Sequence, residues 1–178
     1  YQVVISREPN RVRPRPHPVP FNLGDLSFMG DSYETWMETA ILEASLVASD
    51  VPVGAALFDE GGELVGVSRN SREATGRLPG HAESNVIIEA WEKGEFGSLA
   101  GFTLISTLEP CIVCAGIIRE TGITRVVYGA SNPQRGAGGS VYDLLRDKRL
   151  GRPVEIVAGI RAEECQKLLD DFFAQLRY

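Results

Sequence analysis

Phe102-Thr103-Leu104-Ile105-Ser106-Thr107-Leu108-Glu109-Pro110-Cys111-Ile112-Val113-Cys114 reads as a strand that runs directly into a helix. Ser106 apart, residues 102–107 are apolar or β-branched, as suits a buried strand. Pro110 then takes a favourable first-turn position in the next helix, where a missing N–H costs nothing. On that helix Cys111 and Cys114 stand three apart and face the same way. Both thiols gain from the positive end of the helix dipole, by about 0.3–1 kcal/mol each.

Working outward, the same alternation recurs. Asp31 and Glu34 have the spacing of a capping box, and Trp36, Met37, Ala40, Ile41, Ala44, Val47 and Ala48 follow at helical spacing. Residues 52–58 read as a strand, Asp59-Glu60-Gly61-Gly62 as a turn, and residues 64–68 as the return of a hairpin. After a polar loop, His81 opens a helix carrying Val86, Ile87, Ala90 and Trp91. Residues 125–128 form a short strand, 129–139 a glycine-rich loop, 141–146 a short helix, and 154–157 a last strand. The final helix puts Cys165, Leu168, Leu169, Phe172, Phe173 and Leu176 on one apolar stripe. About five strands and five helices in this order predict a three-layer α/β/α sandwich, a mixed five-stranded sheet with helices on both faces.

The N-terminal helix end at His81 matters as much as the one at Cys111. His81-Ala82-Glu83 and Pro110-Cys111-Ile112-Val113-Cys114 together offer one imidazole and two thiols, a set suited to zinc. Three protein ligands leave the fourth position for water, the arrangement of catalytic rather than structural zinc. Zinc lowers the pKa of its water from about 15.7 to roughly 7. Glu83 sits two residues from the ligand histidine, where it can carry protons without binding metal. Cys165 as a fourth ligand would close the site into a structural one. Its place on an apolar stripe fits a small buried thiol better.

Composition sets the frame. A chain of 178 residues suits one domain with a single core. Residues 1–28 stand apart as a Pro/Arg-rich extension (Arg11-Val12-Arg13-Pro14-Arg15-Pro16-His17-Pro18-Val19-Pro20), extended and surface-lying, ahead of a domain over 29–178. His17 falls in that run and is not counted as a ligand. No apolar run approaches the roughly 18 residues of a membrane span, and the N-terminus lacks the apolar core of a secretory signal. Three cysteines, two in Cys-x-x-Cys, suit a metal in a reducing compartment, so cytoplasm is the expected address. The net charge of −6 gives no global attraction to nucleic acid. Arg135, Arg146, Lys148, Arg149 and Arg152 nevertheless gather against Asp143 and Asp147, either as a phosphate-contacting patch or as a solvated surface.

His-x-Glu followed by Pro-Cys-x-x-Cys is the signature of hydrolytic nucleobase deaminases. The chain resembles the cytidine-deaminase-like superfamily, and within it the bacterial tRNA adenosine deaminases. The resemblance runs from about Tyr33 to Arg177. It rests on Val51-Pro52-Val53-Gly54-Ala55, Asn70, His81-Ala82-Glu83, Thr107-Leu108-Glu109-Pro110-Cys111-Ile112-Val113-Cys114-Ala115-Gly116, Arg125-Val126-Val127-Tyr128-Gly129-Ala130, Gly136-Ala137-Gly138-Gly139-Ser140 and Glu164-Cys165 with Asp171-Phe172-Phe173. It implies one Zn2+ per chain held by His81, Cys111 and Cys114, with Glu83 as the acid/base. It further implies Asn70 on the target base, Ala55 in the segment lining the base pocket, Asn132 near the target nucleotide, and a homodimer. Glu109 is read as a brace rather than a reactant. The expected reaction is adenosine to inosine, with a tRNA anticodon loop as substrate. Deamination of a free purine or pyrimidine base, nucleoside or analogue is the alternative, and a non-catalytic zinc-stabilised partner subunit or RNA-binding module the remote one.

Several positions depart from the tRNA-editing pattern. Arg77-Leu78-Pro79-Gly80 stands where Asp-Pro-Thr-Ala is usual, and Asn132 and Gln134 stand where an aspartate and a lysine are usual. An Asn-His pair is missing around Gly151-Arg152-Pro153, and the last helix ends with little positive charge. None of these touches the metal set; together they bear on the substrate.

Overall fold

The computed structural model describes residues 26–94 and 97–176. The Pro/Arg-rich run and His17 lie outside the described residues. Helix α1 (Leu26–Ser45) leads into strands β1 (Gly54–Phe58) and β2 (Leu64–Arg69), then a four-residue helix α2 (Arg72–Thr75) and α3 (Ala82–Lys93). Strand β3 (Thr103–Leu108), α4 (Ile112–Thr121), β4 (Arg125–Ala130), a 3-10 turn at Lys148–Leu150, β5 (Glu155–Ala158) and α5 (Ala162–Gln175) complete the order. The sheet runs β2-β1-β3-β4-β5. β1 is antiparallel to β2 and β3, while β3, β4 and β5 are parallel, so the sheet is mixed.

Both faces of the sheet are covered. Helices α1 and α5 touch each other and share one face; α3 packs on the other and meets α4. This explains why β1, Gly54-Ala55-Ala56-Leu57-Phe58, is buried at every position and shows no alternation. Its small residues let helices approach closely. A β-carbon at Gly54 would overlap the Ala40 carbonyl oxygen of α1, and one at Gly129 would overlap the Cys165 sulfur of α5. Farther along, Trp36 stacks on Phe58 with ring centroids 4.2 Å apart and seats α1 on β1.

Four local expectations need correction. Helix α1 begins at Leu26, so Asp31 lies within it and not at a cap, and Val47 and Ala48 fall beyond its end. Pro110 precedes the N-cap residue Cys111 rather than occupying the first turn. The helix expected over 141–146 is absent. There the Gly136 carbonyl accepts from the Val141 and Tyr142 N–H groups, and the Ala137 carbonyl from those of Leu144 and Leu145. With its carbonyl partners upstream in the glycine loop, the segment is folded back on that loop and cannot close helical turns of its own. Finally, Trp91, Phe173 and Leu176 stand on predicted core stripes but are exposed. The count of helices survives because the short α2, unseen in the sequence, replaces the missing one.

Candidate active site

Two helix N-termini meet at the carboxyl end of β3, the position where open α/β sheets form crevices. His81 is the N-cap of α3 and Cys111 the N-cap of α4, and neither side chain caps its own helix. Ser, Thr, Asp or Asn at these positions would have bonded the free N–H groups. Here the capping positions are given over to metal ligands instead.

His81 Nδ1 lies 3.3 Å from Cys114 Sγ and 3.4 Å from Cys111 Sγ, and the two sulfurs are 3.7 Å apart. Zn–S bonds of about 2.3 Å and a Zn–N bond of about 2.0–2.1 Å, set tetrahedrally, give edges of roughly 3.8 and 3.6 Å. The triangle therefore matches one face of a zinc tetrahedron. These three are the only such cluster among the described residues. Cys165 belongs to α5, packed against Gly129 on the opposite face of the sheet, so it does not complete a structural site.

The metal-free electrostatics suit the same reading. Hydrogen bonds from Cys114 and His81 draw the Cys111 thiol down to about 3, so a thiolate is already favoured. The Cys114 thiol is pushed up beside it, and the hydrogen bond to Cys111 raises His81. Glu83, in the first turn of α3, is 4% exposed. Burial pushes its carboxyl up to about 7, against the opposing pull of a backbone hydrogen bond and of His81.

Ser84 was not singled out in the sequence. It is fully buried, and its hydroxyl lies 3.4 Å from Cys114 Sγ. An O–H donated to a ligand sulfur orients it and moderates its charge, and such supporting bonds are commonly worth 10–100-fold in affinity or activity. Ser84→Ala is expected to weaken zinc binding by about tenfold in a chelator competition. Unchanged competition would show that the hydroxyl does not support Cys114.

A cavity of about 190 Å³ opens beside this triangle, lined by His81, Glu83, Cys111, Asn70, Asn132, Asp50 and Val53 among others. Asn70 follows β2, and its side-chain amide donates to Asp50 Oδ1 at 2.7 Å and to the Val51 carbonyl at 3.1 Å. Asn132 also lines the cavity; its N–H donates to Glu109 Oε2 at 2.9 Å and its Oδ1 accepts from the Arg135 N–H at 3.1 Å. Ala55 does not line it. The cavity lies at the amino end of β1, where Val51 and Val53 form the wall, whereas Ala55 is fully buried inside the strand opposite Ser106.

Glu109 is 1% exposed and accepts from the N–H groups of Asn132, Gly138 and Ser140 and from the Ser140 hydroxyl. It braces the glycine loop that carries Asn132. Two of the five basic residues over 135–152 are paired with neighbours: Arg146 with Asp143 at 3.0 Å and Arg149 with Asp147 at 2.7 Å. Arg135 differs, since it lines the cavity.

Residues 31–130, more than half of the chain, match the family model described as the cytidine and deoxycytidylate deaminase zinc-binding region. The chain belongs to this family. The deaminase is 39% identical over 146 residues to the tRNA-specific adenosine deaminase of Bacillus subtilis, covering 81% of this chain and 90% of that protein. It is 38% identical over 147 residues to the tRNA(Ile)-lysidine synthase of Deinococcus deserti, covering 79% of this chain but only 27% of that protein. Among solved structures, one from a study of A-to-I editing by tRNA:A34 deaminases superposes with a TM-score of 0.72 at 31% identity. It covers 76% of this chain and 99% of the other. The deaminase thus has the fold and the zinc set that the resemblance implied. No helix among its described residues is long and apolar enough to cross a membrane.

Proposed function

We propose that this deaminase converts adenosine to inosine at the wobble position of tRNA, in the cytoplasm. The observation that carries the reading is one cavity lined by His81, Cys111, the buried Glu83 and Asn70, with Cys114 completing the metal-fitting triangle beside it. The similarity to the B. subtilis tRNA-specific adenosine deaminase and to the A34 deaminase structure supports the substrate. The size of the cavity, about 190 Å³, falls below the roughly 300–1,000 Å³ of sites for drug-sized ligands and suits one base. A base in an anticodon loop is unpaired, so extruding it costs little.

His81, Cys111 and Cys114 would hold the metal, and zinc, when bound, supplies the Lewis acidity that makes water nucleophilic near neutral pH. The remaining work falls to protein groups. Water adds across the ring C=N bond at the amino-bearing carbon. Glu83 takes protons from the attacking water and delivers one to the ring nitrogen and one to the amino group. The C–N bond then breaks, ammonia departs and the carbonyl of inosine remains. Asn70 hydrogen-bonds the target base, and Asn132, whose carbonyl oxygen is occupied by the loop, offers its N–H₂ to the target nucleotide. A homodimer would cover Ile112 and Val113, apolar side chains exposed beside Cys111 and Cys114.

The zinc-loaded protein is expected to form inosine on an anticodon stem-loop carrying a wobble adenosine at low salt. Ammonia release from free bases or nucleosides, with none from the stem-loop, would overturn the tRNA reading while leaving the deaminase chemistry in place.

A further inference from the structure

Asp50 sits in the turn between α1 and β1, with nothing in its local sequence to mark it. It is 4% exposed and lines the cavity. A buried carboxylate needs partners, and this one is fully supplied. Its Oδ1 accepts from the Asn70 amide at 2.7 Å and from the Val51 N–H at 3.0 Å. Its Oδ2 accepts from the Glu73 N–H at 2.7 Å and from the Ala74 N–H at 3.4 Å. All four partners are donors. The carboxylate therefore joins α2, whose Arg72 and Glu73 also line the cavity, to the side chain of Asn70.

The consequence falls on Asn70. A side-chain amide has two donor hydrogens and one acceptor oxygen, and in isolation either end can face a ligand. Here the amide nitrogen donates to Asp50 Oδ1 and to the Val51 carbonyl oxygen, which commits its donors to acceptors on the protein side. Turning the amide over would bring its oxygen against a carboxylate and a carbonyl, three acceptors with no proton between them. The flip is closed. Asn70 Oδ1 is left buried and without a partner among the described residues. A buried acceptor without a partner is costly, so the bonds made by the amide nitrogen must hold the side chain in this sense.

We infer that Asp50 is a positioning residue which fixes the orientation of the Asn70 amide at the wall of the cavity. This rests on the proposed role of Asn70 at the base. Asp50 touches no reacting atom. It holds in one orientation the Asn70 side chain that lines the cavity.

The test is a double-mutant cycle in the zinc-loaded full chain, with Asp50→Asn, Asn70→Ala and the pair, read as kcat/KM for inosine formation on the stem-loop. Asp50→Asn keeps the shape but offers Asn70 an amide that can pair with it in either sense. Each single variant is expected to lose roughly tenfold or more, and the pair no more than Asn70→Ala alone. Zinc content should stay at that of the parent. Losses that multiply in the pair, or an Asp50→Asn enzyme with parental kcat/KM, would overturn the inference. If Asn70→Ala keeps full activity, the role of Asn70 and this inference fall together while the deaminase assignment stands. If only free bases are turned over, the same cycle is run on the best of them.

A second readout does not depend on turnover. The Asn70 side-chain amide protons should exchange slowly with solvent in the zinc-loaded parent and at least tenfold faster in Asp50→Asn. Equal exchange rates would show that Asp50 does not hold the amide. Should Asp50→Asn fail to accumulate, Asp50→Glu, which keeps the charge and displaces it by one methylene, takes its place with the same expected non-additivity.

Discussion

Glu83→Gln is expected to lower kcat on the stem-loop by about 10²–10⁴-fold, the usual contribution of a positioned proton carrier, with zinc retained at the parental stoichiometry. The amide has the shape of the carboxyl group but cannot take a proton from water or give one to the amine. Zinc should stay because the metal-fitting triangle consists of His81, Cys111 and Cys114 alone. Stability should not suffer in the metal-free protein. Burial raises the Glu83 carboxyl to about 7, which means that the fold disfavours its charged form. The sign follows: the penalty is present above about pH 7, shrinks as pH falls through that value and vanishes below the unfolded carboxylate range. Gln carries no such penalty, so the metal-free variant should melt at least as high as the parent at pH 8. Near-parental turnover would remove Glu83 from the chemistry. Joint loss of zinc and activity would make it a ligand instead.

Much of this was legible because metal chemistry and helix geometry constrain short spacings. Two thiols three apart at a helix start can face only one way, and His81 had no other histidine in the domain to compete with it. Parallel strands buried on both faces show as apolar runs, and β4 does so after its first residue. What stayed hidden depends on contacts distant in sequence. Asp50 bonds Asn70 and the start of α2, and no periodicity links those residues. Ser84 looks like any polar residue in a first helical turn until Cys114 is brought beside it. The false helix over 141–146 has the same origin: local pattern favoured a helix, and hydrogen bonds to the glycine loop won. The resemblance brings in Ala55 with its segment, but Val51 and Val53 line the cavity while Ala55, farther along the strand, is fully buried.

Glu109→Ala is expected to destabilise the zinc-loaded protein by about 2–4 kcal/mol in urea unfolding, since a buried N–H group left without an acceptor costs about 1–3 kcal/mol. Three backbone N–H groups converge on this one carboxylate, from Asn132, Gly138 and Ser140. Only the Gly138 bond is fully buried, so water can reach the other two donors and the sum stays below three full penalties. Glu109→Gln should cost less, about 1–3 kcal/mol. Its oxygen can keep one pair of donors, and the Ser140 hydroxyl can turn to accept from the new amide. The Asn132 N–H cannot turn, so one donor stays unmatched. The carboxylate also explains a glycine: a β-carbon at Gly136 would overlap Glu109 Oε2, so the loop has room for the brace only because that side chain is missing. Function should follow the loop rather than the metal. Asn132 and Arg135 line the cavity from this segment, so KM should rise more than kcat falls, with zinc still bound. If Glu109→Ala unfolds at the parental urea concentration, the loop is held by its own backbone bonds and Glu109 is not its brace. If kcat collapses while KM holds, the carboxylate acts on the reaction itself, and the division of labour between Glu83 and Glu109 must be redrawn.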